Sequence, residues 1–292
     1  MNTSVRTVGE LIHAQHSDLT HAERKIARIL FSTNMLAGMD SAKTLATRAN
    51  VSPPSVIRFA SKLGFAGYSE FQDQVRDELE HRITSPLTLY DRTSTDTKTD
   101  TIEHARDVFI ASISASMDQL PRQELSCVID LMADVSRPLW LTGGRFSGLV
   151  AELLYLHLYQ LRPKVRSMAS FSQPREDLAL DMGKRDVVIF FDFRRYQTDS
   201  INLAQMASGK GAKIVLITDP WLSPIADLAD YVIPVRVDTP SPYDSVVPAA
   251  AIAETLISEL VPRLSSGSFD RIGALEDLRK GQVMDEKDGS RK

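Results

Sequence analysis

Five short apolar runs in the second half of the chain, most of them separated by helical stretches, leave few folds open. They are Pro138–Thr142, Val165–Met168, Val187–Phe193, Lys213–Thr218 and Tyr231–Val235. Strand, helix, strand in repetition predicts a parallel five-stranded sheet flanked by helices on both faces. Two helical stretches, Ile102–Leu120 and Arg122–Asp134, lead into this pattern. A last helix, Ala249–Leu264, carries Ala253, Leu256, Ile257 and Leu260 along one face. Residues 1–81 hold no segment of period two and read as helix throughout. The stretch at 82–100 is polar, threonine-rich and aperiodic, as a linker is. The expected division is an α-helical domain at 1–81, a linker at 82–100, an α/β domain at 101–265 and a charged tail at 266–292.

A length of 292 residues suffices for two modest domains. No apolar run reaches the roughly 18 residues that a membrane-spanning helix needs. The opening MNTSVRTVGELIHAQHSD lacks the apolar segment and small-residue cleavage site of an export signal. Cys127 is the one cysteine, so an intrachain disulfide is impossible, and its surroundings (SCVIDLM) read as buried helix. A cytoplasmic chain is expected. The net charge of −4 argues against indiscriminate polyanion binding but leaves room for a local basic face.

That face lies between Ser41 and Ser69, where Lys43, Arg48, Arg58 and Lys62 stand without a single Asp or Glu. Upstream, Thr20-His21-Ala22-Glu23 has the form of a capping box that starts a helix, and Ala22, Ile26, Ile29 and Leu30 make its apolar stripe. Ser41 then caps a short helix, Ala42–Ala49. Asn50 tolerates the left-handed backbone of a tight turn, and Val51 plugs the angle between helices. Ser52 is placed to cap the next helix, whose first turn accepts Pro53 and Pro54 because no intrahelical amide bond is needed there. Val56, Phe59 and Leu63 are expected to point inward; Ser55, Arg58 and Lys62 are expected to point outward. Gly64 ends the helix. This is a helix-turn-helix, and its second helix fits a DNA major groove. Arg58 suits a guanine edge; Lys43, Thr44, Ser52, Ser55 and Lys62 suit phosphates. A plain three-helix packing unit is the blander reading, and the absence of acids weighs against it.

The phrase VIRFASKLGFAGYSEF resembles the close of the N-terminal domain in the RpiR family of sugar-metabolism regulators. Val56, Arg58, Phe59, Lys62, Leu63, Gly64, Phe65, Gly67, Tyr68 and Phe71 carry the likeness. The resemblance implies a C-terminal sugar isomerase-like (SIS) domain that takes phosphosugars. Gly143, Gly144 and Ser147, between a strand and a helix, match that domain's first ligand loop, although Arg145 replaces a glycine common there. The second loop departs further: only Thr198 fits its hydroxyl pattern, and Arg194 and Arg195 stand in the loop. Arg145, Arg194 and Arg195 come from two loops at one sheet edge, where α/β sheets bind ligands. They suit a phosphate or carboxylate, so a small anionic effector is expected. The same arginines can instead pair with Asp192, Asp199 or a second subunit.

An isomerase is the rival reading, with Glu152, His157 and Glu254 as candidate bases, but they form no evident constellation. Gly143-Gly144 followed by Ser147-Gly148 is not a dinucleotide fingerprint, and no cofactor is expected. His13, His16, His21, His81 and His104 show no metal-ligand spacing, so no metal is expected. The partners implied are double-stranded DNA with a palindromic operator and a second copy of the chain, as homodimer or homotetramer. Leu153, Leu154, Leu156 and Leu158 supply apolar surface for core or interface.

Overall fold

The computed structural model describes residues 7–15, 18–33, 35–83, 101–168, 175–264 and 266–280. Most of the linker expected at 82–100, the last residues of the expected tail and His16 lie outside these.

Five helices build the N-terminal unit: α1 (Val8–Ala14), α2 (His21–Ser32), α3 (Ala42–Ala49), α4 (Pro53–Lys62) and α5 (Tyr68–Ile83). Ile12, Ile26, Leu30, Leu45, Val56, Phe59, Phe71 and Val75 close its core. The capping box is present: the Glu23 amide donates to Thr20 Oγ1 at 3.4 Å, and the Thr20 amide donates to Glu23 Oε2 at 2.7 Å. Asn50 takes φ 51°, ψ 54°, and the Val51 amide reaches back to the Ala46 carbonyl. Helix α4 stops at Gly64, φ +103°, where the Gly64 amide donates to Ser61 and the Phe65 amide to Ala60. That pair of bonds is the Schellman closure, which favours glycine at the left-handed position.

The C-terminal unit opens with α6 (Thr101–Asp118) and α7 (Arg122–Ala133). Then follow β1 (Leu139–Gly143), α8 (Ser147–Leu161), β2 (Val165–Ser167), α9 (Arg175–Leu178), β3 (Val187–Asp192), α10 (Thr198–Gly209), β4 (Lys213–Thr218), β5 (Tyr231–Pro234) and α11 (Val247–Leu260). All strand pairs are parallel, in the order β2-β1-β3-β4-β5. Strand β3 shows why the sequence runs unbroken through apolar residues. Val187, Ile189 and Phe191 face the core shared with α8 and α11, while Val188 and Phe190 face the core shared with α10. The expected charged tail contains a helix, α12 (Ser266–Arg279), held to α8 by Arg271 donating to the Tyr159 carbonyl at 2.8 Å. Cys127 is half-buried on α7 rather than buried. Among the described residues, no helix is long and apolar enough to cross a membrane.

The two units touch through the turn after β4. Thr7 Oγ1 donates to the Pro220 carbonyl at 2.5 Å, and a Cβ placed on Gly9 would lie 3.5 Å from Leu222.

Arg162 is 0% exposed. Its guanidinium donates to the carbonyls of Met132, Arg137 and Pro163, and so ties the end of α7 to the approach of β1. Burial lowers its pKa to about 10, so it stays charged at neutral pH. Arg162→Met strands three carbonyl acceptors. It is expected to lower the unfolding free energy by about 3 kcal/mol or more, read by urea denaturation.

Candidate functional site

Helix α4 presents Ser52, Pro53, Pro54, Ile57, Arg58 and Ser61 to solvent, with Lys43 and Thr44 exposed on neighbouring α3. Several expectations for this face change. Ser52 sits at the N-cap position, but its hydroxyl caps no amide and lies 2.9 Å from Ser55 Oγ. Ser55 is 9% exposed rather than outward, and Arg58 Nη2 donates to its hydroxyl at 3.2 Å. Ser55 therefore orients Arg58 instead of reaching a phosphate itself. Lys62 folds back on α2, with Nζ 2.9 Å from Glu23 Oε2 and 2.5 Å from the Asp18 carbonyl. Its charge is thus largely committed within the domain. Thr44 Oγ1 lies 2.9 Å from Ser41 Oγ in the cap of α3. Because Pro53 and Pro54 carry no amide hydrogen and the Ser55 amide donates to the Ser52 carbonyl, the start of α4 offers side chains rather than backbone donors.

Ile57 was not expected here. It is 48% exposed in the middle of this polar face. An apolar residue off the Val56–Phe59–Leu63 stripe was the signal, and its chemistry suits a thymine methyl. The Gly67-Tyr68 and Phe71 part of the phrase is an anchor. Tyr68 stacks on Phe71 at 5.5 Å, Phe65 meets Phe71 edge-on at 5.6 Å, and the Tyr68 hydroxyl donates to the Asp40 carbonyl at 2.8 Å. Burial, with the Asp40 charge adding to it, raises the Tyr68 pKa to about 12, so the donor is permanent.

The second site lies where the strand order reverses, between β1 and β3. In parallel sheets a crevice opens at such a point, outside the carboxyl ends of the strands. A cavity of about 350 Å³ is there, lined by the loops after β1, β3 and β5. Gly144, Arg145, Ser147, Arg194 and Arg195 line it as expected; Gly143 and Thr198 do not. Gly143 instead allows close packing, since a Cβ there would lie 2.6 Å from the Gly148 nitrogen. Thr198 is exposed on the first turn of α10, because the preceding Gln197 turns into the cleft. The Ser147 hydroxyl accepts from the Gly144 amide at 2.8 Å and donates to the Phe191 carbonyl at 2.6 Å. The Gly148 and Leu149 amides donate to Gly144 and Phe146. The first loop is therefore laced to β3 rather than open as an amide cradle.

Arg194 reaches a carboxylate that the sequence reading did not name. It makes a two-pronged pair with Asp244 and lies over the Trp221 ring at 4.8 Å. Asp192 is buried and accepts from the Ser223 hydroxyl. Arg145 and Arg195 are exposed at the rim, Arg195 at φ +66°. Among the described residues, neither has an ion-pair partner. Among the described residues, Gln197 Oε1 is buried beside Gly144 without a hydrogen-bond partner. Gln197, Tyr243, Asp244 and Ser245 were absent from the sequence reading. The polar segment SPYDS at 241–245, between the fifth strand and the last helix, was the available sign. Glu152, His157 and Glu254 do not line the cleft. Glu152 accepts from Ser167 Oγ, and His157 faces Glu254 at 3.6 Å. Among the described residues, no group of three or more potential metal ligands gathers.

With these two sites in view, comparison with known proteins is decisive. Residues 7–82 match the helix-turn-helix domain of the rpiR family, and residues 135–259 match the SIS domain. The chain thus joins a helix-turn-helix that matches the rpiR family to a SIS domain. An HTH-type transcriptional regulator of Providencia stuartii is 27% identical over 223 residues, covering 73% of this chain and 74% of that protein. One from Haemophilus influenzae is 25% identical over 226 residues, covering 76% and 77%. The NanR protein of Vibrio vulnificus, solved with ManNAc-6P, superposes with a TM-score of 0.56 at 15% identity, covering 94% of this chain and 100% of that one. The sugar isomerase domain of an RpiR transcription factor from Sphaerobacter thermophilus gives 0.57 at 17% identity, covering 61% and 99%. Those two structures establish the fold. The RpiR-type helix-turn-helix supports a DNA-binding transcription regulator.

Burial alone would raise the Glu23 carboxyl, but hydrogen bonds from the Thr20 amide and Lys62 outweigh it, and the pKa falls below 4.5. A depressed carboxylate contributes stability above its unfolded pKa and loses it as pH falls through the folded value. Stability of the N-terminal unit is expected to drop as pH falls below about 4.5, and Glu23→Gln to flatten that slope, read by thermal unfolding across pH.

Proposed function

We propose that this RpiR-type chain is a cytoplasmic regulator of carbohydrate-metabolism genes. It reads a palindromic operator as a homodimer or homotetramer, and a small anionic metabolite bound in the SIS cleft changes its operator affinity. Two-fold proteins match two-fold operators, with paired reading helices about 34 Å apart. The observation that carries the DNA half is the α3–α4 face, free of acids from Ser41 to Ser69 and presenting Arg58 and Ile57 outward. The cleft at the β1–β3 reversal, with Arg145 and Arg195 at its rim, supports the sensing half. Because NanR of Vibrio vulnificus was solved with ManNAc-6P, phosphosugars are the first effectors to try. Leu154 and Leu158 belong to the core, whereas Phe146, Leu149 and Leu156 are exposed beside it and suit a subunit interface. Ligand acts by binding two arrangements of the paired chains with different affinity. The scheme needs no cofactor, no metal and no catalytic step. The competing isomerase reading predicts aldose–ketose turnover in a coupled assay.

Selection of genomic fragments by the purified chain is expected to enrich a palindrome. Arg58→Ala should then lose about 1–3 kcal/mol of specific binding and relax one position of the site. Ile57→Ala should relax discrimination at a thymine. Lys43→Ala should weaken all sequences alike and reduce the salt slope by about one. Lys62→Ala should leave that slope nearly unchanged while lowering thermal stability. Selection that enriches nothing above background sinks the DNA reading.

A further inference from the structure

Arg194 is the cleft cation most firmly held in place, and it already grips a carboxylate. Its Nε donates to Asp244 Oδ2 at 3.0 Å and its Nη2 donates to Asp244 Oδ1. That is the fork geometry with which a guanidinium takes an anion. The Arg194 side chain is 13% exposed, and Trp221 backs it. Asp244 arrives from the loop between β5 and α11, 50 residues along the chain, and itself lines the cleft. Arg145 and Arg195, by contrast, stand exposed at the rim.

We propose that Asp244 is a resident counter-anion, which occupies Arg194 and admits only effectors able to displace it. This rests on the reading of the cleft as an anion site. Swapping one carboxylate for another on the same guanidinium gains no pairing energy. Asp244 is tethered, so a free monocarboxylate also competes against a high local concentration. A phosphoryl dianion carries a second charge and a third oxygen. It can hold Arg194 and still engage Arg145 or Arg195. The internal pair thus rejects monocarboxylates by competition, a selectivity built from repulsion and prior occupancy rather than from added contacts.

NMR-monitored titration of the full chain with inorganic phosphate, and separately with acetate, tests this. The native chain is expected to bind acetate at least about tenfold more weakly than phosphate, and Asp244→Asn to gain about tenfold in acetate affinity and narrow that ratio. An unchanged ratio in Asp244→Asn overturns the proposal. The anion reading of the cleft stands in that case if an Arg145→Ala, Arg195→Ala chain loses phosphate binding. Failure of every chain to bind either anion overturns that reading and the proposal together. Circular dichroism checks that Asp244→Asn is folded. A further measurement needs no variant: the Arg194 Nε–H resonance of the native chain shifts during phosphate titration, and a resonance that stays in place overturns the proposal.

Discussion

The ligand edge of the α/β unit depends on how closely helix α8 approaches strand β1. A side chain at Gly143 would drive its Cβ into the backbone of Ser147 and Gly148. Without one, the helix starts against the strand end, and Ser147 reaches the Phe191 carbonyl of β3. That bond fastens the first loop to the neighbouring strand. The cleft lies between this fastened loop and the loops after β3 and β5. The arginines thus stand on loops set by the ends of β1 and β3.

Electrostatics in both sites follows pairing more than charge count. On the N-terminal unit Arg48 faces Asp40 and Lys62 faces Glu23, both acids from outside the acid-free window. The window's net field is weaker than its composition suggests, and Arg58 and Lys43 carry most of what reaches solvent. In the cleft Arg194 is balanced by Asp244 while Arg145 and Arg195 remain exposed. Each unit thus separates cations that hold it together from cations that face solvent.

Much of this was legible in the sequence because it rests on local rules. The capping box, the left-handed Asn50, the Gly64 closure and the five parallel strands are all written in spacing and residue type over a few positions. The loops after β1 and β3 were placed at the same sheet edge for the same reason. What escaped the sequence depends on long-range pairing. Arg162 is an unremarkable surface type until the fold surrounds it with carbonyls. Asp244 is one acid among many until β5 brings its loop beside Arg194. Ser55 shares a helical face with Arg58 by spacing alone, yet it is buried, with its hydroxyl held between Ser52 and the Arg58 guanidinium. Thr198 lies one residue past the cavity lining, where Gln197 stands instead.

The turn at 219–222 gives the two units a common component. Asp219 accepts from the Tyr196 hydroxyl and from the Trp221 amide; Trp221 lies against Arg194; Pro220 and Leu222 meet the first helix of the DNA-reading unit. Four consecutive residues thus touch the support of the cleft on one side and helix α1 on the other. Genetic lesions in this turn will be pleiotropic. A change at Trp221 disturbs the stacking of a cleft arginine and, one residue either side, the seat of helix α1. A lesion in these four residues therefore registers in both units, whereas one at Arg58 or Arg145 stays within its own.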